Sequence, residues 1–377
     1  MASTDSPDAA TDGNTTPKSE GSHSHTGARS KSGWDGKLRV DKKAILTNSE
    51  ALSDPEYSDE DAPPVEELLA DEDLLDDEDP EAEARAVPDT EIDVQHSRVS
   101  SIPALRLERF KNLQRLCLRQ NSISAIELPE SLADTLQELE LYDNLISHIK
   151  GLDNFTELRS LDLSYNKIKH IKRVDHLKKL DHLYFVQNKI SRIEGLEGLS
   201  NLAYLELGAN RIRDIAGLET LTALEQLWLG QNKISELKGL STLSNLKTLS
   251  IQANRISSLE GLQDLPQLEE LYISDNLLTS LEPVSQTPNL RILDVQNNPI
   301  PSLRGLGPLK HLENLWASSC KIDSFEELER ELKDKEELSE VYFEGNPLQK
   351  ANEVLYRNKV RLALPQVSKI DASYVRA

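Results

Sequence analysis

Asparagine returns every 22 residues along the middle of this chain, at Asn144, Asn166, Asn188, Asn210, Asn232, Asn254, Asn276 and Asn298. Each closes the pattern Leu-x-x-Leu-x-Leu-x-x-Asn-x-Ile or a close variant of it, as in Leu136/Leu139/Leu141/Asn144/Ile146 and Leu202/Leu205/Leu207/Asn210/Ile212. An earlier copy ends at Asn121, and a weaker one precedes it (Ile92, Val94, Ser97, Val99). Two more follow, with Cys320 and Asn346 in the asparagine slot, which makes twelve units with the irregular ones counted. One 22-residue coil cannot bury its own apolar face, so the units must stack on one another rather than fold around a single globular core.

Each position in the unit has a physical task. The three leucines point inward from a short strand and its approach. The Ile after the Asn, and later apolar residues such as Ile171, Val174 and Leu177, fill the rest of the coil. The Asn amide turns inward to satisfy backbone groups of adjacent coils that burial would otherwise orphan. Gly208 and Gly230 follow the last strand leucine, where the coil is expected to turn. The pattern resembles the leucine-rich repeat. It predicts an α/β solenoid, a horseshoe with a parallel concave β-sheet. A return segment this short favours 3₁₀ turns or short helices on the convex side. The organisation expected is an acidic tail over 1–89, about twelve repeats over 90–348 and a terminal cap over 349–377.

Strand side chains alternate in direction, so a residue between two inward leucines points onto the concave face. Four residues before each ladder position stand Cys117, Glu140, Asp162, Tyr184, Glu206, Trp228, Ser250, Tyr272, Asp294, Trp316 and Tyr342. Five of these eleven are Tyr or Trp in a chain that is 5% aromatic overall, so the column is selected for aromatic surface. Neighbouring columns add Glu138, Tyr142, Tyr165 and His182. A contiguous exposed stripe of aromatics and carboxylates reads as a protein-binding wall. The plainer reading is β-forming residues on a solvated sheet.

The remaining composition narrows the class. Residues 51–89 hold seventeen Asp/Glu and one Arg, most of the chain's net −22, and the polar stretch before them lacks the apolar residues needed for a core. Composition of that kind predicts disorder. The plain reading of the acidic run is a solvated linker; Leu68, Leu69, Leu74 and Leu75 within it offer apolar anchors for the sharper alternative, a steering or autoinhibitory tail. Ser58 is an acid-flanked candidate kinase site, and the mildly basic stretch around Trp34 is either a short linear motif or none. Cys117 and Cys320 lie nine units apart, too far to pair. Cys117 stands in the concave column, either accessible or as a plain small strand residue, and Cys320 takes a ladder place. With no leader-like opening and no long apolar run, a reducing compartment and no membrane are expected. No nucleophile–base order, metal cluster or phosphate loop is present, so no catalysis and no cofactor are expected. Glu140, Asp162 and Glu206 sit on separate strands with no tight cluster for a metal. Nucleic acid is not expected, because the inner wall is acidic rather than basic.

After the last unit, LSEVYFEGNPLQ leads into YRNKVRLALPQVSKIDASYVRA. Asn346-Pro347-Leu348-Gln349, Tyr356-Arg357, Ala363-Leu364-Pro365, Val367 and Ile370-Asp371 look like the terminal cap of intracellular leucine-rich-repeat proteins. The wider spacing before Asn346 leaves room for a helical turn in SFEELERELKDKEEL. Tandem 22-residue repeats, ALP-x-V-x-x-IDA and the acidic and aromatic column together resemble the leucine-rich-repeat regulatory subunits of type-1 protein phosphatase. The resemblance implies a non-catalytic subunit, nuclear and cytoplasmic, with a role in mitosis. It implies binding of the phosphatase catalytic subunit through the concave face, a further phosphatase inhibitor subunit as an additional partner, and a monomer in the absence of partner. Carried over by column, Asp162, Glu206, Trp228, Asp294, Trp316 and Tyr342 match the family pattern, Tyr184 replaces a usual Phe, and Asn314 replaces a usual Glu. The usual docking motif, a basic residue followed by Val-x-Phe or Val-x-Trp, is absent. The alternative is a scaffold for another intracellular protein, of spliceosomal, ciliary or cytoskeletal type.

Overall fold

The computed structural model describes residues 90–375. The readings made above for residues 1–89 lie outside them, Trp34, Ser58 and the four acidic-run leucines included. Twelve three-residue strands follow one another in parallel, one per unit: β1 Glu91–Asp93, β2 Arg115–Cys117, β3 Glu138–Glu140, β4 Ser160–Asp162, β5 His182–Tyr184, β6 Tyr204–Glu206, β7 Gln226–Trp228, β8 Thr248–Ser250, β9 Glu270–Tyr272, β10 Ile292–Asp294, β11 Asn314–Trp316 and β12 Glu340–Tyr342. The register is constant. Asp93, Cys117, Glu140, Asp162 and each later column residue to Tyr342 face one another across successive pairs. The sheet therefore opens with Asp93, one position before the column read from the sequence.

Burial follows the repeat. Leucines of the strand and its approach, and the Ile after each Asn, are shielded from solvent in every regular coil. The asparagine ladder works as its amide chemistry requires. Asn210 Nδ2 donates to Phe185 O in the preceding coil (2.8 Å) and to Leu207 O in its own (3.1 Å), and its Oδ1 accepts from Ile190 N (3.0 Å). Cys320 takes the same place, its thiol donating to Val295 O at 3.3 Å. A thiol offers no equivalent acceptor, and Ile300 N instead turns to Asn298 O in its own coil (2.8 Å).

The coil turn falls one residue later than Gly208 and Gly230. The residue before each ladder position, from Gln120 to Ser319 and including Ala209 and Gln231, is left-handed with φ between 52° and 57°. None of these is glycine, and the ladder bonds offset the conformational cost. Glycine is required on the convex side instead. At Gly239 (φ +83°) a Cβ would strike the Ile215 carbonyl oxygen of the coil before.

The convex return is less helical than its length suggested. Short 3₁₀ turns occur in some coils, for example Leu262–Asp264 and Glu282–Gln286. Most regular coils use isolated turns such as Leu177 N to Val174 O (2.9 Å), because the leucine spacing closes only one turn at a time. The wide unit carries the expected helix α1 (Phe325–Leu332), N-capped where Ser324 accepts from Glu327 N at 3.2 Å. Beyond β12 the cap is built from α2 (Pro347–Lys350), α3 (Tyr356–Ala363), β13 (Lys369–Ile370), parallel to β12, and β14 (Ser373–Tyr374), which returns antiparallel. Asp371 fastens it, with Oδ1 accepting from Phe343 N (2.8 Å) and Oδ2 from Tyr356 OH (2.6 Å). Among the described residues no helix is long and apolar enough to cross a membrane.

Candidate functional site

The outward column becomes a continuous line of ring contacts, some stacked, some tilted and the last edge-on. His182 lies 5.7 Å from Tyr204 between centroids, Tyr184 5.0 Å from Tyr204, and Tyr204 6.2 Å from Trp228. The line continues from Trp228 to Tyr272 (6.1 Å), Tyr272 to Trp316 (6.1 Å) and Trp316 to Tyr342 (6.3 Å). Two of these steps skip a strand. Ser250 and Asp294 are the short residues between, and the rings lean over them until both are buried. The indole Nε1 of Trp228 and of Trp316 are shielded and have no hydrogen-bond partner among the described residues.

Tyr204 stands in the neighbouring column and was missed in the sequence, although it joins the rings of β5 to those of β7. The signal was available, since it occupies the same strand position as His182, one repeat on. Its hydroxyl donates to Glu206 (3.2 Å), and burial pushes its ionisation well upward. The Tyr272 phenol, beside Glu270, is pushed up to about 12 by burial first.

The carboxylates are already engaged within the chain. Arg115 Nη2 lies 2.8 Å from Glu140 Oε1. Arg119 bridges Glu140 (3.4 Å) and Asp162 (3.5 Å), and its guanidinium sits 4.7 Å from the Tyr142 ring centroid. Burial raises the pKa of Asp162, opposed by Ser164 N–H and Arg119, and burial likewise raises that of Glu206. Asp294 Oδ1 accepts from Gln296 N at 3.1 Å. Lys369 pairs with Glu340 (2.9 Å) and lies 5.7 Å from the Tyr342 ring. Cys117 is buried, and burial lifts its thiol to about 11, so the small-strand-residue reading holds and the accessible one does not. Cys117 and Cys320 are both free thiols.

Known proteins sort this geometry. Family profiles described as "Leucine rich repeat" and "Leucine Rich repeats (2 copies)" match residues 157–212 and, in overlapping pairs, 201–330. A Listeria monocytogenes internalin structure superposes with a TM-score of 0.64 at 25% identity, over 74% of this chain and 79% of its own. A leucine-rich-repeat protein of Leptospira interrogans gives a TM-score of 0.56 at 26% identity, over 70% of this chain and 73% of its own. Among sequences, "Protein phosphatase 1 regulatory subunit SDS22" of Schizosaccharomyces pombe is 52% identical over 100 residues, and its Saccharomyces cerevisiae namesake 50% over 88. Mouse "Protein phosphatase 1 regulatory subunit 7" is 53% identical over 55 residues. Over these stretches the chain is similar to SDS22 proteins, and residues 157–330 match the leucine-rich-repeat profiles.

The aligned stretches span 26% of each yeast SDS22 protein, and 26% and 23% of this chain respectively. Of the outward column read from the sequence, the structure brings Tyr184, Trp228, Tyr272, Trp316 and Tyr342 into one line and adds His182 and Tyr204. Glu140 and Asp162 join a separate, arginine-bridged cluster towards the N-terminal end of the sheet. Glu206 lies beside Tyr204, and Asp294 lies beneath Tyr272 and Trp316.

Proposed function

We propose that this chain is a regulatory subunit that binds the catalytic subunit of a type-1 serine/threonine protein phosphatase on its concave face. The observation that carries the reading is the unbroken line of ring contacts from His182 to Tyr342, stacked around Trp228, tilted at Tyr272–Trp316 and edge-on at Trp316–Tyr342. Rings packed against one another on a rigid sheet lose little conformational freedom on binding and present large amphipathic area, the usual make-up of an interface hot spot.

Engagement of the carboxylates alters the part they play. Glu140 and Asp162 present an arginine-bridged cluster rather than bare negative charge, so a basic partner residue must compete with Arg115 and Arg119. Glu206 and Asp294 are desolvated among aromatics, where a matching cation would be worth more than at an exposed rim. The similarity to proteins named as protein phosphatase 1 regulatory subunits supports the phosphatase-regulating role; nucleus and cytoplasm as its place, mitosis as its setting and a further inhibitor subunit as an additional partner are part of the proposal. Size-exclusion chromatography of the full chain with the catalytic subunit tests the assignment. A complex that survives the column and is lost in Tyr204→Ser supports it, and separate elution of the wild-type proteins at micromolar concentration contradicts it.

A further inference from the structure

Beside the sheet, five consecutive coils share a strip that carries no acid. The segments SYNKIK (164–169), VQNKIS (186–191), GANRIR (208–213), GQNKIS (230–235) and QANRIS (252–257) hold seven Lys/Arg and no Asp or Glu, in a chain whose net charge is −22. The coils on either side break the strip with Asp143 and Asp275. One cation per coil follows the ladder Asn: Lys167, Lys189, Arg211, Lys233 and Arg255. Four of them are exposed and Lys233 is half-buried. Their backbones are locked in register, each N–H donating at 2.8 Å to the Ile carbonyl of the preceding coil. Elsewhere the fold pairs its cations freely, as in Lys247–Glu225 and Arg291–Glu313. These five side chains form no ion pair or side-chain hydrogen bond among the described residues. A row of like charges at the strand spacing of about 4.8 Å repels itself and gains nothing for folding.

We propose that this strip is the docking site of the chain's own acidic segment, residues 67–89. That segment holds eleven Asp/Glu against one Arg, and ends where the chain enters β1 at Thr90. The cation of β4's coil is three strands from β1 and that of β8's coil is seven, roughly 14 Å and 34 Å at the usual strand spacing. Twenty-three residues reach roughly 75 Å when extended, so the segment can run the whole row. Single-stranded nucleic acid would need stacking rings along the strip. Tyr165 stands at one end, and Gln187, Ala209, Gln231 and Ala253 follow at the same position, so an acidic polypeptide is the better match. The strip borders the coils of Tyr184, Glu206 and Trp228, so the docked segment would screen that rim of the aromatic column. The docking does not depend on the phosphatase reading.

Carbodiimide cross-linking of the full-length protein, mapped by mass spectrometry at low and high salt, tests this. Lys167, Lys189 and Lys233 should couple to carboxylates of 67–89 at least fivefold more than Lys111 and Lys150, which lie in coils nearer the point of entry. The preference should disappear at 0.5 M salt. It should also disappear in Arg211→Glu/Arg255→Glu, a variant that keeps all three target lysines and whose fold is checked by circular dichroism. Equal coupling at Lys111, coupling unchanged by the arginine reversals, or cross-links found only between molecules in an isotope-mixed sample would overturn the proposal.

Discussion

Trp228 and Tyr272 lie on strands that are not neighbours, yet their rings stack 6.1 Å apart with planes 18° from parallel. Ser250, on the strand between, makes this possible: its small side chain is buried beneath the two rings. Tyr272 and Trp316 meet likewise across Asp294, 6.1 Å apart but tilted by 42°. A residue that looks like a gap in the aromatic column is what lets the column close.

Ser250→Phe should therefore part Trp228 from Tyr272. Overpacking of this kind costs about 1–3 kcal/mol, which a solenoid of this length tolerates. The expected outcome is at least a tenfold loss of phosphatase binding with a melting temperature lowered by only a few degrees. Calorimetric titration and thermal unfolding of the same sample check both halves.

Asn210→Ala should cost about 2 kcal/mol, because Ile190 N–H is buried and would lose its acceptor. The change from Cys320 to Ala should cost less, since Ile300 N already bonds within its own coil. Urea unfolding of the two variants should rank them in that order.

Most of this fold was readable in the sequence, because a 22-residue period fixes register, ladder and outward column together. The convex turns were less legible: Gly208 and Gly230 drew attention, while the left-handed residues are the unremarkable Ala209 and Gln231 that follow. The site was legible as a column and not as a surface. Tyr204 belongs to another column, and how far rings lean across Ser250 depends on side-chain packing that no periodicity records. Arg115 and Arg119 were missed for a related reason. Each reaches diagonally to a later strand, so the charge on Glu140 and Asp162 is set by residues well upstream.

Lys335 was also invisible, as one more charge in the run LKDKEEL. It is fully buried, its Nζ donating to Leu309 O at 2.8 Å, and burial pushes it down to about 8. In the unfolded chain a lysine titrates near 10.4. Between about pH 8 and 10.4 the unfolded chain thus binds more protons than the folded one, and this residue makes stability rise with pH across that window. Wild type should gain stability relative to Lys335→Met between pH 7.5 and 10. Chemical denaturation at the two pH values checks this, and tyrosine ionisation common to both proteins cancels in the difference.

Tyr356→Phe should loosen the cap. Its hydroxyl donates to Asp371, which also accepts from Phe343 N, so the loss removes one charge-assisted bond worth about 1.5–3 kcal/mol. Amide exchange should quicken first in β12, β13 and α3, and only weakly in the middle coils, because repeats couple chiefly to their neighbours.

The central claim is that the aromatic column is where a type-1 phosphatase catalytic subunit binds. Titration calorimetry of the full-length protein with that subunit tests it directly, using wild type, Trp228→Ala/Trp316→Ala and the convex control Lys172→Ala. Each tryptophan is expected to contribute roughly 2 kcal/mol or more, so the double variant should bind at least several-hundred-fold more weakly while the control matches wild type. Wild-type binding that the double variant retains would contradict the concave site, and no wild-type binding would contradict the partner.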